Sequence, residues 1–155
     1  MKKILVPVDG SPTSLKAASK AVEVARKYDS ELIFMTVARI PEKIISTGDS
    51  GLASSGYGAY DLEKIGVELK ENQSRILDHS IQHLDLEGIK WEKKMAEGFP
   101  SEEIVDMANE LGVDLVVIGR RGYSRIKRFF TGSVSNRVIS EAHCPVLVIN
   151  DDQAE

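Results

Sequence analysis

The sequence predicts an open, parallel α/β sheet with helices on both faces. Short uninterrupted apolar runs rich in β-branched residues occur at 4–8, 32–37, 115–118 and 146–149, the pattern of strands buried on both faces. Longer segments between them repeat their apolar residues at helical spacing. Strand and helix alternate along the chain, as right-handed βαβ crossovers require.

The first strand takes residues 3–8 and ends at an acid followed by a glycine, Asp9 and Gly10. Ser11 and Pro12 supply an N-cap and a proline suited to the first helical position. Leu15, Ala18, Val22 and Ala25 mark the inward side of the helix, which lasts to about Tyr28. Residues 31–38 form a second strand of the buried type. From 39 to 60 the pattern lapses into a serine- and glycine-rich stretch. A loop of that length is either a lid over the carboxyl end of the second strand or a disordered connection.

Leu62, Ile65, Leu69, Ile76, Ile81 and Leu84 keep a rough helical spacing over a long second helix, and Gly88 stands where a left-handed C-terminal residue belongs. His79 and His83 are four residues apart, a spacing compatible with zinc. No H-E-x-x-H pattern or third ligand accompanies them, so two solvated histidines are expected. Residues 89–95 alternate apolar with charged, as in a third strand near a sheet edge. Pro100 and Ser101 open a helix that turns Ile104, Val105, Ala108 and Leu111 inward. It carries Glu102 and Glu103 beside the positive end of its dipole and stops at Gly112. The fourth strand covers 114–118 and the fifth 145–149. Between them a helix from Ser133 has Val134, Val138, Ile139 and Ala142 at helical spacing.

At 155 residues, 42% hydrophobic and 28% charged, the chain fits one domain over 1–155 with a sizeable core. A net charge of -4 and a pI near 5.5 leave no overall positive field, which argues against nucleic acid as a partner. No stretch is apolar enough to span a bilayer and no signal-peptide pattern opens the chain, so no membrane association and a cytoplasmic location are expected. The single cysteine, Cys144, has no partner for an intramolecular disulfide and is expected to pack in the interior.

The stretch between the fourth strand and the last helix holds Gly119, Gly122 and Gly132, the last followed by Ser133. Glycine lets a backbone approach a ligand closely, and a helix N-terminus attracts anions, so phosphate is the candidate ligand. The spacing G-x2-G-x9-G-S is neither that of a P-loop nor that of a dinucleotide fingerprint. It resembles the nucleotide-binding loop of the ATP-binding branch of the universal stress protein family. The opening Ile4, Leu5, Val6, Pro7, Val8, Asp9, Gly10 and Ser11 agrees, as does the ending from Gly132 through Cys144 and Pro145 to Ile149. The resemblance spans 3–149 and is weakest over 39–61.

That resemblance implies a five-stranded sheet of order 3-2-1-4-5, which reverses between strands 1 and 4. Ligands of such sheets bind beyond the carboxyl ends at the point of reversal. It implies Pro7, Val8 and Asp9 near a nucleoside, Val37 as a backbone partner of adenine, and Gly119, Gly122, Gly132, Ser133 and Val134 around phosphates and ribose. For Asp9 three roles stand open: a contact to ribose hydroxyls, an outer-sphere ligand of Mg²⁺ held by the phosphates, or a cap for the following helix.

The family commonly has small or polar residues after the first glycine, whereas here Arg120 and Arg121 stand side by side. With Arg125, Lys127 and Arg128 they either clasp a triphosphate tail or face solvent and serve a partner. Phe129 and Phe130 are expected to pack rather than to stack on bases. The expected ligand is therefore ATP with Mg²⁺. The expected function is a nucleotide-dependent regulatory or stress-response protein with slow or no hydrolysis, in which occupancy changes shape or the choice of a protein partner that the sequence does not identify. Val146, Leu147, Val148 and Ile149 carry no charge or interior proline to block edge pairing, so a homodimer through the last strand is expected. No P-loop lysine, metal-ligand cluster or triad is visible, and no catalytic residue is assigned. Two other readings compete: an ATP-hydrolysing or nucleotide-transferring enzyme using the same pocket, and an interaction module that no longer binds nucleotide.

Overall fold

The computed structural model describes residues 1–39, 59–120 and 133–150. Its elements in chain order are β1 (Lys3–Pro7), α1 (Pro12–Tyr28), β2 (Glu31–Ala38), α2 (Ala59–Ile81), β3 (Trp91–Glu97), α3 (Pro100–Leu111), β4 (Leu115–Gly119), α4 (Ser133–Glu141) and β5 (Val146–Ile149). All strand pairs are parallel and the order is β3-β2-β1-β4-β5, as the resemblance implied. The order reverses between β1 and β4, so the connections diverge there and leave a crevice beyond the carboxyl ends.

The period of two along each strand divides the core into two layers. Ile4, Val6, Leu32, Phe34, Leu115 and Val117 face α1 and α2, meeting Ala17, Ala21 and Ala25 of the former and Leu77 and Ile81 of the latter. Leu5, Ile33, Met35, Val116 and Ile118 face the other way, against Ile104, Val105 and Ala108 of α3 and Val138 of α4. Helices on both faces explain why the central strands read as continuous apolar runs. The two end strands differ. β3 alternates exposed with half-buried residues, and all four residues of β5 are half-buried.

Local signals set most boundaries. Ser11 caps α1 by accepting from the Ser14 N–H at 3.3 Å, and Pro12 follows it. Asp29 ends α1 in the left-handed region at φ 51°, and Gly112 ends α3 at φ 57°. The N-cap of α3 is Phe99, without a side-chain bond, and Pro100 takes the first turn.

Four details depart from the sequence reading. Leu15 is half-buried while Ala17 and Ala21 are fully buried, because α1 sits close to the sheet on its smallest residues. α2 ends at Ile81, so Leu84 falls in the turn beyond, where its N–H bonds the Ile81 carbonyl and its side chain packs on the core edge. Gly88 does adopt a left-handed φ of 74°, but in the turn entering β3 rather than at the helix end. Ile139 is 48% exposed; α4 turns Ser135 and Val138 inward, and a short helix touching the sheet along one narrow stripe leaves Ile139 outside it.

His79 and His83 are exposed and flank the Gln82 amide nitrogen, 2.7 Å from His79 Nδ1 and 3.0 Å from His83 Nε2. Among the described residues no group of three or more His, Cys, Asp or Glu is placed to hold a metal, and no helix is long and apolar enough to cross a membrane. Cys144 packs against the α3 and α4 layer, and burial pushes its thiol above its ordinary value, which suits packing rather than reactivity. The expected lid within 39–60 lies almost wholly outside the described residues, as do Arg121, Gly122, Arg125, Lys127, Arg128, Phe129, Phe130 and Gly132.

Candidate functional site

Beyond the carboxyl ends of β1, β2 and β4 lies a cavity of about 360 Å³. Of the residues expected at a site, it brings together Pro7, Val8, Asp9, Val37, Gly119, Arg120, Ser133 and Val134. Gly122 and Gly132 lie outside the described residues.

Three helices open onto the cavity with their first turns. Ser11 and Ser14 come from the start of α1, Pro100 and Ile104 from α3, and Ser133, Val134 and Ser135 from α4. The positive ends of the helix dipoles make such starts attractive to anions. The Ser135 hydroxyl donates to the Arg120 carbonyl at 3.0 Å, and the Arg120 N–H donates to the Ile149 carbonyl at 2.8 Å. The exit of β4, the start of α4 and the end of β5 are thereby tied together.

Charge in the lining is sparse. Arg39 and Arg120 are the cations among its described residues and Asp9 is the carboxylate. Asp9 Oδ1 accepts from both the N–H (3.0 Å) and the hydroxyl of Ser11. Asp9 thus holds the cap residue in place, while the capping role left open for it belongs to Ser11, which accepts from the Ser14 N–H. The apolar residues of the lining are Pro7, Val8, Met35, Val37, Ile104 and Ile118. Glu103, in the first turn of α3, carries a carboxyl raised above its ordinary value, first by burial and then by Asp106 and Glu102.

Several lining residues escaped the sequence reading. Pro100 and Ile104 were signalled, since a helix that follows a strand in a parallel sheet starts on the carboxyl side. Thr36, Gln73 and Ser135 were not: Gln73 sits mid-helix, Thr36 lies within an apolar run, and Ser135 stands in a mixed stretch at the start of α4, without any motif. A second depression of about 540 Å³ lies at the opposite end of the sheet, between Lys2, Arg26, Glu31 and Lys90. Two of its three cations are engaged, Arg26 with Asp85 at 2.6 Å and Lys90 with Glu31 at 3.1 Å, and none of the residues expected at a site lines it. The carboxyl-end cavity is therefore the better candidate.

Comparison with known proteins agrees with this architecture. The model of the universal stress protein family matches residues 1–150. Universal stress protein MJ0531 of Methanocaldococcus jannaschii is 36% identical over 154 residues, which cover 99% of this chain and 85% of that protein. Universal stress protein YxiE of Bacillus subtilis is 36% identical over 148 residues, covering 95% and 97% respectively. Among solved structures, that of MJ0577 from M. jannaschii has a TM-score of 0.76 at 25% identity, over 99% of this chain and 98% of that one. The chain belongs to the universal stress protein family.

Proposed function

We propose that the carboxyl-end cavity binds an adenine nucleotide, ATP with Mg²⁺, and that occupancy regulates the protein's contacts rather than feeding rapid turnover. One observation carries this reading. A single cavity joins apolar residues, Val8, Met35, Val37 and Ile104, to the amino ends of helices and to Arg120 at the exit of β4. A purine ring is apolar on its faces and phosphates are polyanionic, so the two halves of the lining fit the two halves of the ligand. Arg120 and the start of α4 hold the phosphates, and Asp9 lies between them and the base, beside the ribose or a water on Mg²⁺. Bound Mg²⁺ neutralises phosphate charge.

Two more distant structures with this fold are a universal stress protein in complex with cAMP and an Arabidopsis thaliana family protein with AMP bound. At 22% and 20% identity they speak for the fold, and the choice of ligand rests on the cavity itself. Regulation is favoured over catalysis because Asp9, the carboxylate of the described lining, has an oxygen committed to Ser11. Identification by mass of any nucleotide released from the purified, denatured protein tests the reading. ATP or ADP in a fixed proportion to protein supports it. Protein that carries no nucleotide and takes none up from a mixture of the common nucleotides opposes it.

A further inference from the structure

β2 is apolar along its buried length until Thr36, which is 2% exposed and lies at the cavity wall. Its hydroxyl donates to Gln73 Oε1 at 2.8 Å. Gln73 comes from the middle of α2 and lines the same cavity. A buried hydroxyl loses its hydration, and that loss is offset only where it finds a partner. Here the partner is a side chain, and the Gln73 amide stands with its Oε1 toward Thr36. With Oε1 taken up by Thr36, the NH₂ group is the end of the amide without a protein partner among the described residues.

The sheet order sets which part of a ligand meets this amide. Thr36 belongs to β2, and Gly119 and Arg120 stand at the end of β4, with β1 between. Two strand spacings amount to about 10 Å. A nucleotide with its phosphates at the start of α4 therefore has its base at the β2 end.

We infer that Gln73 reads the base: its NH₂ group donates to an acceptor nitrogen of a bound purine ring, and Thr36 is the positioning residue that holds it there. This rests on the nucleotide reading above. Calorimetric titrations of the full chain with ATP, with tripolyphosphate, and with 1-, 3- and 7-deaza-ATP, each lacking one ring acceptor, test it. The proteins are the wild type, Gln73→Met and Gln73→Glu. Gln73→Met is expected to weaken ATP about three- to tenfold, the range of one neutral hydrogen bond. Gln73→Glu keeps an acceptor for Thr36 but turns an acceptor toward the ring, and is expected to lose more. Tripolyphosphate binds all three proteins alike. One deaza analogue binds wild type about as weakly as ATP binds Gln73→Met and loses nothing further in that variant.

Wild-type affinity in Gln73→Met, an equal loss for tripolyphosphate, or wild-type protein indifferent to all three deaza analogues would each overturn the role of Gln73 and leave the nucleotide reading standing. Wild type that binds no adenine nucleotide would overturn both. The deaza series on wild type needs no substitution, so indifference there overturns the role of Gln73 even if Gln73→Met folds poorly; a loss is assigned to Gln73 rather than to the Val37 backbone by its disappearance in whichever Gln73 variant folds.

Discussion

Gly119 packs against Thr13 so closely that a Cβ at Gly119 would lie 2.8 Å from the Thr13 carbonyl carbon and 2.9 Å from its Oγ1. The end of β4 and the first turn of α1 meet at backbone distance, beside the cavity. The sequence reading gave this glycine to phosphate approach. The contact gives it a structural reason of its own, since backbone cannot yield as a flexible side chain can.

Gly119→Ala is accordingly expected to cost about 1–3 kcal/mol of stability, the range for forcing extra volume into a packed site. Urea unfolding measures it. A loss within a few tenths of a kcal/mol would mean that α1 shifts freely.

Acid stability depends on Asp114. Its carboxylate accepts from the backbone N–H groups of Lys3 at 2.9 Å and Lys2 at 2.7 Å, which together hold its carboxyl below the ordinary 3.8. A depressed folded-state value means that the contribution is whole above about 3.8 and is lost as pH falls through the lower folded value. Asp114→Asn is expected to lower the urea midpoint at pH 7 and to show a shallower decline between pH 5 and 2 than wild type. Parallel declines in the two proteins would remove Asp114 from the account.

Much of the fold was legible because strands β1, β2 and β4 are covered on both faces, and burial on both faces leaves an unbroken apolar run. Ser11 with Pro12 and Gly112 marked helix ends through backbone chemistry that is local in sequence. Ile139 was misread because spacing says which residues share a helical face, not how wide a stripe the sheet covers. Leu84 was misread because a residue packing just past a helix end keeps the same apolar pattern. The strand order came from family resemblance, since periodicity carries no information on which strands are neighbours. In the cavity, Ser133 was legible at a helix start and Pro7, Val8 and Asp9 came from the family resemblance, whereas Gln73 reaches the site only through the packing of α2 over β2.

A dimer through β5 is expected, because β5 ends the sheet and its strand Val146–Ile149 offers an edge without charge or interior proline. Light scattering at micromolar concentration should give twice the chain mass, falling to one chain in Val148→Lys. A wild-type monomer, or a dimer untouched by the lysine, would rule out this edge.

Hydrolysis is expected to be slow. Fast phosphoryl transfer needs an oriented water and a charge-stabilising group aimed at the transition state. Arg120 fits the second requirement, while Asp9 is drawn toward Ser11. Steady-state phosphate release with Mg²⁺ should stay below about 1 s⁻¹, under the range common among enzymes. A faster rate that disappears in Asp9→Asn would turn the account toward an ATPase.

Ser133→Glu tests most directly whether ATP places its phosphates at the start of α4. Ser133 is exposed at that N-terminus, where a carboxylate favours the helix dipole yet repels phosphate. Calorimetry with Mg-ATP should show saturable binding to wild type and at least a tenfold weaker affinity in Ser133→Glu, with thermal stability equal or higher. Absence of binding heat in wild type at several temperatures, or equal affinity in the two proteins, would contradict that placement.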